Sequence, residues 1–144
     1  MNKQDFTHTT TVPVRWGDAD IFGHINNVQY IRYLESARVA YCDEVLDLPL
    51  IADMKVGWLL ADIQCAFLQQ VHYPENLKVV TRISKIGNKS ADVLAEIYRE
   101  GEDTPVITGR GVMVWFDFER QQTALIPEAI KLKVASYEKS VEGL

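Results

Sequence analysis

One short segment of the chain concentrates acidic, imidazole and amide side chains. It runs from Arg15 to Arg38 (RWGDADIFGHINNVQYIRYLESAR) and places Asp18, Asp20 and His24 just before the start of a helix. A carboxylate can attack a carbonyl carbon or deprotonate a water that does so. Unpaired N–H groups at a helix N-terminus can polarise the carbonyl oxygen. The segment therefore indicates hydrolysis of a carbonyl compound, if a substrate fits between the acid and the helix.

The helix that must position these groups is indicated by the spacing of its apolar residues. Steps of three and four place one set on a single face: Tyr30, Leu34, Ala37, Tyr41 and Val45. Asn26 or Asn27 can cap the first turn through its side-chain oxygen. Glu35 and Arg38 can pair on the helix surface. The apolar face requires a sheet to cover it.

The same segment resembles the signature of hotdog-fold acyl-CoA thioesterases of the 4-hydroxybenzoyl-CoA thioesterase type, which reads approximately D-x-D-x-x-G-H-V-N-N-x-x-Y-x-x-Y-x-E-x-A-R. The matching residues here are Asp18, Asp20, Gly23, His24, Ile25, Asn26, Asn27, Tyr30, Tyr33, Glu35, Ala37 and Arg38, with Ile25 in the Val position. The resemblance implies that Asp20, four residues before the histidine, is catalytic and that Asp18 is structural. Geometry alone does not decide which of the two aspartates is catalytic, because side chains two residues apart in an extended segment point the same way.

His24 and Asn27 of the motif each have alternative roles. His24 could orient the loop, bond to the substrate carbonyl or protonate the leaving thiolate. Asn27 could cap the helix or contact substrate. Tyr30 is expected in the core and the pocket lining, as is Tyr33.

A second segment is our candidate for binding the phosphates of coenzyme A. It spans Arg82 to Ser90 (RISKIGNKS) and gathers Arg82, Lys85, Lys89 and the Ser90 hydroxyl around a tight turn. By composition alone, a solvated hairpin tip is the favoured interpretation. It resembles a K-x-G-x-K-S hairpin of the same family, and that resemblance implies phosphate contact.

Size and charge limit the class of protein. The chain has 144 residues, of which 47% are apolar, so we predict one domain over 1–144. Met1 to Thr7 lack a secretion-signal pattern, and no apolar run reaches the roughly 18 residues that span a membrane. We therefore expect a soluble cytoplasmic protein without membrane contact. The net charge of −5 argues against nucleic acid as a partner.

Other nucleophiles and metal ligands are poorly supported. Cys42 and Cys65 lack a CxxC or Cys/His spacing, so neither a disulfide nor a zinc site is expected, and both are predicted to be reduced and buried. No Gly-x-Ser-x-Gly motif surrounds a serine. His8 and His72 have no partner in the sequence and are predicted at the surface. We expect no metal and no cofactor beyond the CoA of the substrate.

The remaining chain predicts an antiparallel sheet. The strands are expected at Thr9–Arg15, Val56–Gln69, Leu77–Ile86, Ser90–Glu100 and Val106–Phe118, with a closing helix after Ile126-Pro127. Pro13 places the first strand near an edge, and the last four strands are expected to form a meander. In the second strand one apolar face is predicted: Leu59, Ala61, Ile63, Cys65 and Phe67. The order predicts an α+β domain with the hotdog layout, an antiparallel sheet wrapped around one long central helix.

Function and partners follow from the resemblance. It implies an acyl-CoA thioesterase that forms homodimers or homotetramers, with each active site shared between subunits. An acyl carrier protein could replace CoA, and the acyl group stays open, since Trp58, Phe67 and Trp115 could line a pocket or belong to the core. The alternative is a non-hydrolytic acyl-thioester-binding or interaction module on the same fold. The joint presence of four motif residues favours the enzyme: Asp20, Gly23, His24 and Asn27.

Overall fold

The computed structural model describes residues 3–144, so Met1 and Asn2 of the polar N-terminal segment lie outside the described residues. Two α-helices are present in this range, α1 (Asn27–Glu44) and α2 (Glu128–Tyr137). The strands are β1 (His8–Pro13), β2 (Val56–Phe67), β3 (Asn76–Ile86), β4 (Ser90–Arg99), β5 (Pro105–Asp117) and β6 (Gln122–Thr123). Neither α-helix of residues 3–144 combines the length and the apolar character needed to cross a lipid bilayer.

The five long strands form one antiparallel sheet in the order β1-β3-β4-β5-β2, and the short β6 pairs with β5. The predicted four-strand meander is therefore wrong for β2, which pairs with β5 and lies at the edge opposite β1. The reason is that α1 and the loop after it carry the chain across the sheet before β2 begins. Only β3, β4 and β5 follow one another as neighbouring hairpins.

Helix α1 lies against the concave side of this sheet, as the apolar spacing predicts. Asn26 is the N-cap, because its side-chain oxygen accepts a hydrogen bond of 3.0 Å from the Val28 N–H. The buried residues of the helix are Tyr30, Tyr33, Leu34, Ala37 and Tyr41. They pack on inward residues of β3, β4 and β5 such as Leu77, Ile97 and Ile107. Each large apolar side chain contributes about 1.5–3 kcal/mol when fully buried, so this packing fixes the helix on the sheet.

Strand β2 differs from the predicted alternation. A β-bulge between Leu60 and Asp62 inserts one extra residue opposite β5. Before the bulge Trp58 and Leu60 pack on the core, whereas Leu59 is exposed; beyond it Cys65 packs inward. The single apolar face predicted for the strand is therefore split, because an extra residue reverses the direction of every side chain that follows.

His8 is buried, and the prediction that it lies at the surface is wrong. Only 4% of its surface is accessible, and its Nε2 lies 2.6 Å from Oε2 of Glu44 at the end of α1. Its ring also packs edge-on against that of Tyr41 at 5.4 Å. An edge strand that crosses the end of a helix buries the side chains between them, and this contact joins residues 36 positions apart.

The segment after α2 closes the other end of the sheet. Glu142 extends the sheet beside β3, since its carbonyl accepts from the Ile86 N–H at 2.9 Å and its own N–H donates to the Ser84 carbonyl at 2.9 Å. The buried Glu138 accepts hydrogen bonds from the Tyr41 hydroxyl and the Ile83 N–H. β3 therefore pairs with β1 along one half and with the C-terminal segment near its end.

Candidate active site

The acidic loop between β1 and α1 is a small self-bonded turn. The Asp20 N–H donates to the His24 carbonyl at 2.8 Å, and the Gly23 N–H donates to the Asp20 carbonyl at 3.0 Å. Gly23 has a φ of +78°, a conformation that a residue with a side chain rarely adopts. The turn thus depends on a glycine at this position and holds Asp20 at its start.

The Asp20 carboxylate is fixed by its own loop. Its Oδ1 accepts hydrogen bonds from the N–H groups of Phe22, at 2.8 Å, and His24, at 3.1 Å. Within residues 3–144 the second oxygen, Oδ2, has no hydrogen-bond partner. A carboxylate that is oriented through one oxygen and keeps the other available can act as a nucleophile or a base.

Asp18 is held in the structure by hydrogen bonds to its side chain and to its backbone carbonyl. Its Oδ2 accepts from the Tyr33 hydroxyl at 2.6 Å and from the Arg15 N–H at 3.0 Å. Its carbonyl accepts from the Asn26 N–H at 3.2 Å, next to the helix cap. Burial raises the pKa of the Tyr33 hydroxyl, and the bond to Asp18 adds to the rise, so Tyr33 remains a donor. This geometry gives Asp18 a structural part in holding the loop on α1.

Asp20, His24, Asn26, Asn27 and Gln70 line one open cleft of about 260 Å³, together with Ile25. The sequence prediction placed Asp20, His24 and Asn27 together, and the structure brings them together. The sequence prediction did not include Gln70. That residue lies on the loop between β2 and β3, and no motif marks it.

The loop that carries Gln70 is held by Arg99 of β4. The guanidinium donates to the Gln69 side chain at 2.6 Å and to the Gln70 carbonyl, and it pairs with Glu75 at 3.2 Å. The Val71 N–H donates to the Tyr30 hydroxyl at 3.0 Å. Tyr30 is thus buried and supports this loop, and it is not among the residues that line the cleft.

His24 has an aromatic partner that the sequence did not indicate. Its ring lies 4.8 Å from the His72 ring in an edge-on arrangement, and the two residues also pair through a β-bridge. His72 is exposed, as predicted. The pair orients the His24 imidazole beside the cleft.

The first turn of α1 supplies backbone donors to the same cleft. The Val28 N–H is already bonded to the Asn26 side chain, and the Gln29 N–H donates to the Asn26 carbonyl at 2.9 Å. The Asn27 N–H has no acceptor within residues 3–144. It is therefore the donor at this helix tip that a ligand oxygen can use, and the positive end of the helix dipole strengthens such a contact.

The hairpin predicted to bind phosphates lies at the other end of the sheet. Asn76, at the start of β3, pairs with Pro13 near the acidic loop, whereas Lys85 lies nine residues further along, or about 30 Å at 3.3 Å per residue. Lys85 and Lys89 are exposed and Ser90 is half-buried. Arg82 is buried, and its guanidinium donates to the Ser140 carbonyl at 2.9 Å. One chain alone does not bring these residues to Asp20.

A larger apolar cavity of about 540 Å³ lies between α1, the start of β2 and the loop after α1. Trp58 lines this cavity, whereas Trp115 is buried in the core against it, with the two rings 5.1 Å apart. Cys42 also lines it, and burial raises the pKa of the Cys42 thiol to about 11. Burial likewise raises the pKa of Cys65, and both cysteines are unpaired thiols, so neither is suited to nucleophilic chemistry.

Large apolar side chains surround the acidic turn at the surface. Ile21 and Phe22, which directly follow Asp20, are 94% and 76% exposed, and Trp16 is 79% exposed. Exposed apolar groups of this size next to a polar cleft are typical of surfaces that contact another molecule.

Sequence comparison identifies two relatives that cover most of the chain. The uncharacterized protein YsmA of Bacillus subtilis is 33% identical over 113 residues, which is 78% of this chain and 74% of that protein. The acyl-acyl carrier protein thioesterase ATL3 of Arabidopsis thaliana is 23% identical over 133 residues, which is 90% of this chain and 68% of that protein.

Solved structures share the fold over nearly the whole chain. The PA5185 protein of Pseudomonas aeruginosa superposes with a TM-score of 0.87 at 26% identity and covers 98% of each chain. The gentisyl-coenzyme A thioesterase BH1999 superposes with a TM-score of 0.78 at 20% identity, over 88% of this chain and 98% of that one. The model of the thioesterase-like superfamily matches residues 14–134, which contain the acidic loop, α1 and the long strands β2 to β5, whereas β1 lies just before the matched range. The chain therefore belongs to the thioesterase-like superfamily and has the hotdog fold.

Proposed function

We propose that this protein is an acyl-CoA thioesterase in which Asp20 is the nucleophile or the general base. The family and its thioesterase relatives support hydrolysis of thioesters in general. The name of BH1999 refers to a CoA thioester and that of ATL3 to an acyl carrier protein, so the carrier of the acyl group can be either. We favour CoA because the resemblance of the acidic loop is to acyl-CoA thioesterases.

One observation supports the assignment most directly. Asp20 and the helix tip at Asn27 line the same cleft, and each retains one group without a partner within residues 3–144. A thioester carbonyl placed there would have its oxygen on the Asn27 N–H and its carbon towards Oδ2 of Asp20. Preorganised donors of this kind stabilise the developing oxyanion and are worth about 10²–10³ in rate.

Two reaction mechanisms lead from this arrangement to the free acid and the thiol. In the first, Oδ2 of Asp20 attacks the carbonyl carbon, the C–S bond breaks, and water then hydrolyses the mixed anhydride to release the acid and restore the carboxylate. In the second, Asp20 takes a proton from water, the hydroxide adds to the carbonyl, and the thiolate leaves and is protonated. His24 lines the same cleft, and in this proposal it donates that proton or bonds to the substrate.

The CoA phosphates need cations that the cleft lacks. We assign them to Lys85, Lys89 and the Ser90 hydroxyl on the hairpin of a second copy of the chain, because the hairpin of the same chain lies about 30 Å away. Arg82 supports the hairpin through its bond to the Ser140 carbonyl. We therefore propose a homodimer or homotetramer with shared active sites, in which the second copy also covers Ile21 and Phe22.

The test is thiol release from a panel of acyl-CoAs by wild type and by Asp20→Asn. Asparagine keeps the oxygen that accepts from Phe22 and His24, so the loop survives while the carboxylate is lost. We expect turnover to fall by about 10²–10⁴. Asp62→Asn on exposed β2 makes the same chemical change away from the cleft and should retain full activity.

Two further results decide between the alternatives. Hydrolysis in H₂¹⁸O under single-turnover conditions places label in Asp20 if the anhydride forms and is opened at the aspartyl carbon. Label confined to the product acid excludes that opening and is the result expected of the general base. Binding of acyl-CoA without thiol release by the wild type would contradict the enzyme and identify the non-hydrolytic module.

A further inference from the structure

We propose that the preferred substrates are thioesters of long unbranched acyl chains, and that the chain lies in a trough between α1 and β2 and ends in the cavity of about 540 Å³. This inference rests on the proposed thioesterase function and names its substrate class. It derives from one face of α1 that the sheet does not cover.

That face carries apolar residues exposed to solvent. Val28, Ile31 and Val39 are 59%, 38% and 38% exposed. Their spacing places them on one side of the helix, away from the buried face, and the exposed Arg32 and Glu35 lie on the same side. Val28 directly follows Asn27, which lines the acidic cleft at the helix tip. The stripe therefore leads from the site of the carbonyl along the helix.

Strand β2 forms the opposite wall of the trough. At the N-terminal end of α1 the Phe67 ring lies 5.9 Å from that of Tyr30, and further along the helix Trp58 and Leu59 line the same cavity as Val39. α1 and β2 therefore run side by side in opposite directions. Because Phe67 and Leu59 are each 42% exposed, apolar surface borders the trough at both ends.

The cavity forms the far end of the trough. Its apolar lining includes Cys42 of α1, Leu48 and Met54 of the following loop, and Met113 of β5. Its volume lies within the range of about 300–1,000 Å³ that small-molecule pockets occupy. The two charged residues on its wall, Glu35 and Arg38, pair with each other at 4.0 Å, so they present no unbalanced charge to a ligand. These features suit a hydrocarbon chain and not an anionic group.

The length of the trough sets the length of the chain. From Val28 to Cys42 the helix rises by about 21 Å at 1.5 Å per residue. Since C–C bonds of about 1.5 Å advance an extended chain by about 1.3 Å per carbon, about 16 carbons fill the distance. Short or aromatic acyl groups would leave the cavity empty, and each additional buried methylene should raise kcat/KM by up to about fourfold until the trough is full.

The experiment measures kcat/KM for thiol release with butyryl-, octanoyl-, lauroyl-, palmitoyl- and benzoyl-CoA. We expect the value to rise from butyryl to palmitoyl by at least 100-fold, with benzoyl near the low end. Val39→Phe narrows the trough at a position with room for a larger side chain. It should lower the palmitoyl-to-butyryl ratio of kcat/KM at least tenfold.

Ser36→Phe is the matched control, because Ser36 is exposed on α1 and is not among the residues that line the cavity. It should leave both the ratio and the oligomeric mass unchanged. Far-ultraviolet circular dichroism and size-exclusion chromatography check that each variant folds and assembles as the wild type does.

The outcomes separate this inference from the proposed function. If the wild type releases no thiol from any acyl-CoA, the proposed thioesterase function itself is wrong. If it hydrolyses butyryl- or benzoyl-CoA but gains nothing with chain length, only the trough assignment is overturned. If Val39→Phe changes the oligomeric mass and lowers all rates equally, a second copy occupies the trough and the acyl assignment is wrong.

Discussion

Glu138 joins the C-terminal segment to the core, and its removal should be among the most destabilising substitutions in the chain. The carboxylate is buried, and its Oε2 accepts from the Tyr41 hydroxyl at 2.5 Å and from the Ile83 N–H at 3.2 Å. Glu138→Ala leaves both donors buried without an acceptor, at about 1–3 kcal/mol each. We expect the free energy of unfolding to fall by about 3–5 kcal/mol, since a small cavity adds to the loss.

Glu138→Gln separates the hydrogen bonds from the charge. Its amide oxygen can accept from the same donors, so at neutral pH we expect a change of less than about 1.5 kcal/mol. Burial raises the pKa of the Glu138 carboxyl above its ordinary value in the folded protein. The stability that this proton provides is present below the pKa of the unfolded chain and is lost as the pH rises through the pKa of the folded one. Wild type should therefore lose stability relative to Glu138→Gln as the pH rises from about 4 to 7.

Urea unfolding at fixed protein concentration measures both effects, with the fluorescence of Trp58 and Trp115 as the signal. Glu100→Ala, an exposed glutamate in the turn after β4, is the matched control and should change stability by less than about 0.5 kcal/mol. A loss below about 1 kcal/mol for Glu138→Ala would refute the role of the two hydrogen bonds. A constant difference between wild type and Glu138→Gln across this pH range would refute the buried-charge argument.

Three other predictions follow from single contacts. Tyr33→Phe removes the 2.6 Å bond to Asp18 and should lower the free energy of unfolding by about 1–2 kcal/mol in the same urea assay. Gly143→Ala should detach the C-terminal pairing, because a Cβ there would lie 2.1 Å from the Ile86 carbonyl oxygen at a φ of +95°; faster hydrogen exchange of the Ile86 N–H would report it. With its pKa raised to about 11, fewer than about one Cys42 thiol in a thousand is ionised at pH 7.5, so Cys42 should react slowly with iodoacetamide. Intact mass spectrometry measures the rate of this reaction.

Local patterns in the sequence predicted the elements whose periodicity is strong. The apolar spacing of α1 is confirmed, and of the two caps predicted for this helix, Asn26 and Asn27, the structure has Asn26. These features depend on neighbouring residues alone, so the sequence contains them. The order of the strands in the sheet is not determined by residues that are adjacent in the sequence. The position of β2 beside β5 follows from tertiary packing, and neither it nor the bulge at Leu60 has a local signal.

The candidate site was predictable only where one loop carries it. The motif contains Asp20, His24 and Asn27 within eight residues, and the structure places them around one cleft. Gln70 reaches that cleft from another loop, which Arg99 of a third element holds in place. His8 was misplaced for the same reason, because its partner Glu44 is 36 positions away. Contacts of this kind cannot be read from spacing along the chain.

The strand order also has a consequence for how the protein folds. β3, β4 and β5 are joined by short turns, so their pairing closes small loops and should form early. β1 and β2 instead pair with strands far along the chain, as in His8 with Thr81 and Val56 with Asp117, and closing those large loops costs more entropy. In a refolding experiment with pulsed hydrogen exchange, the amides of the central hairpins should gain protection first. The acidic loop follows β1, so catalytic competence should return only in the last kinetic phase.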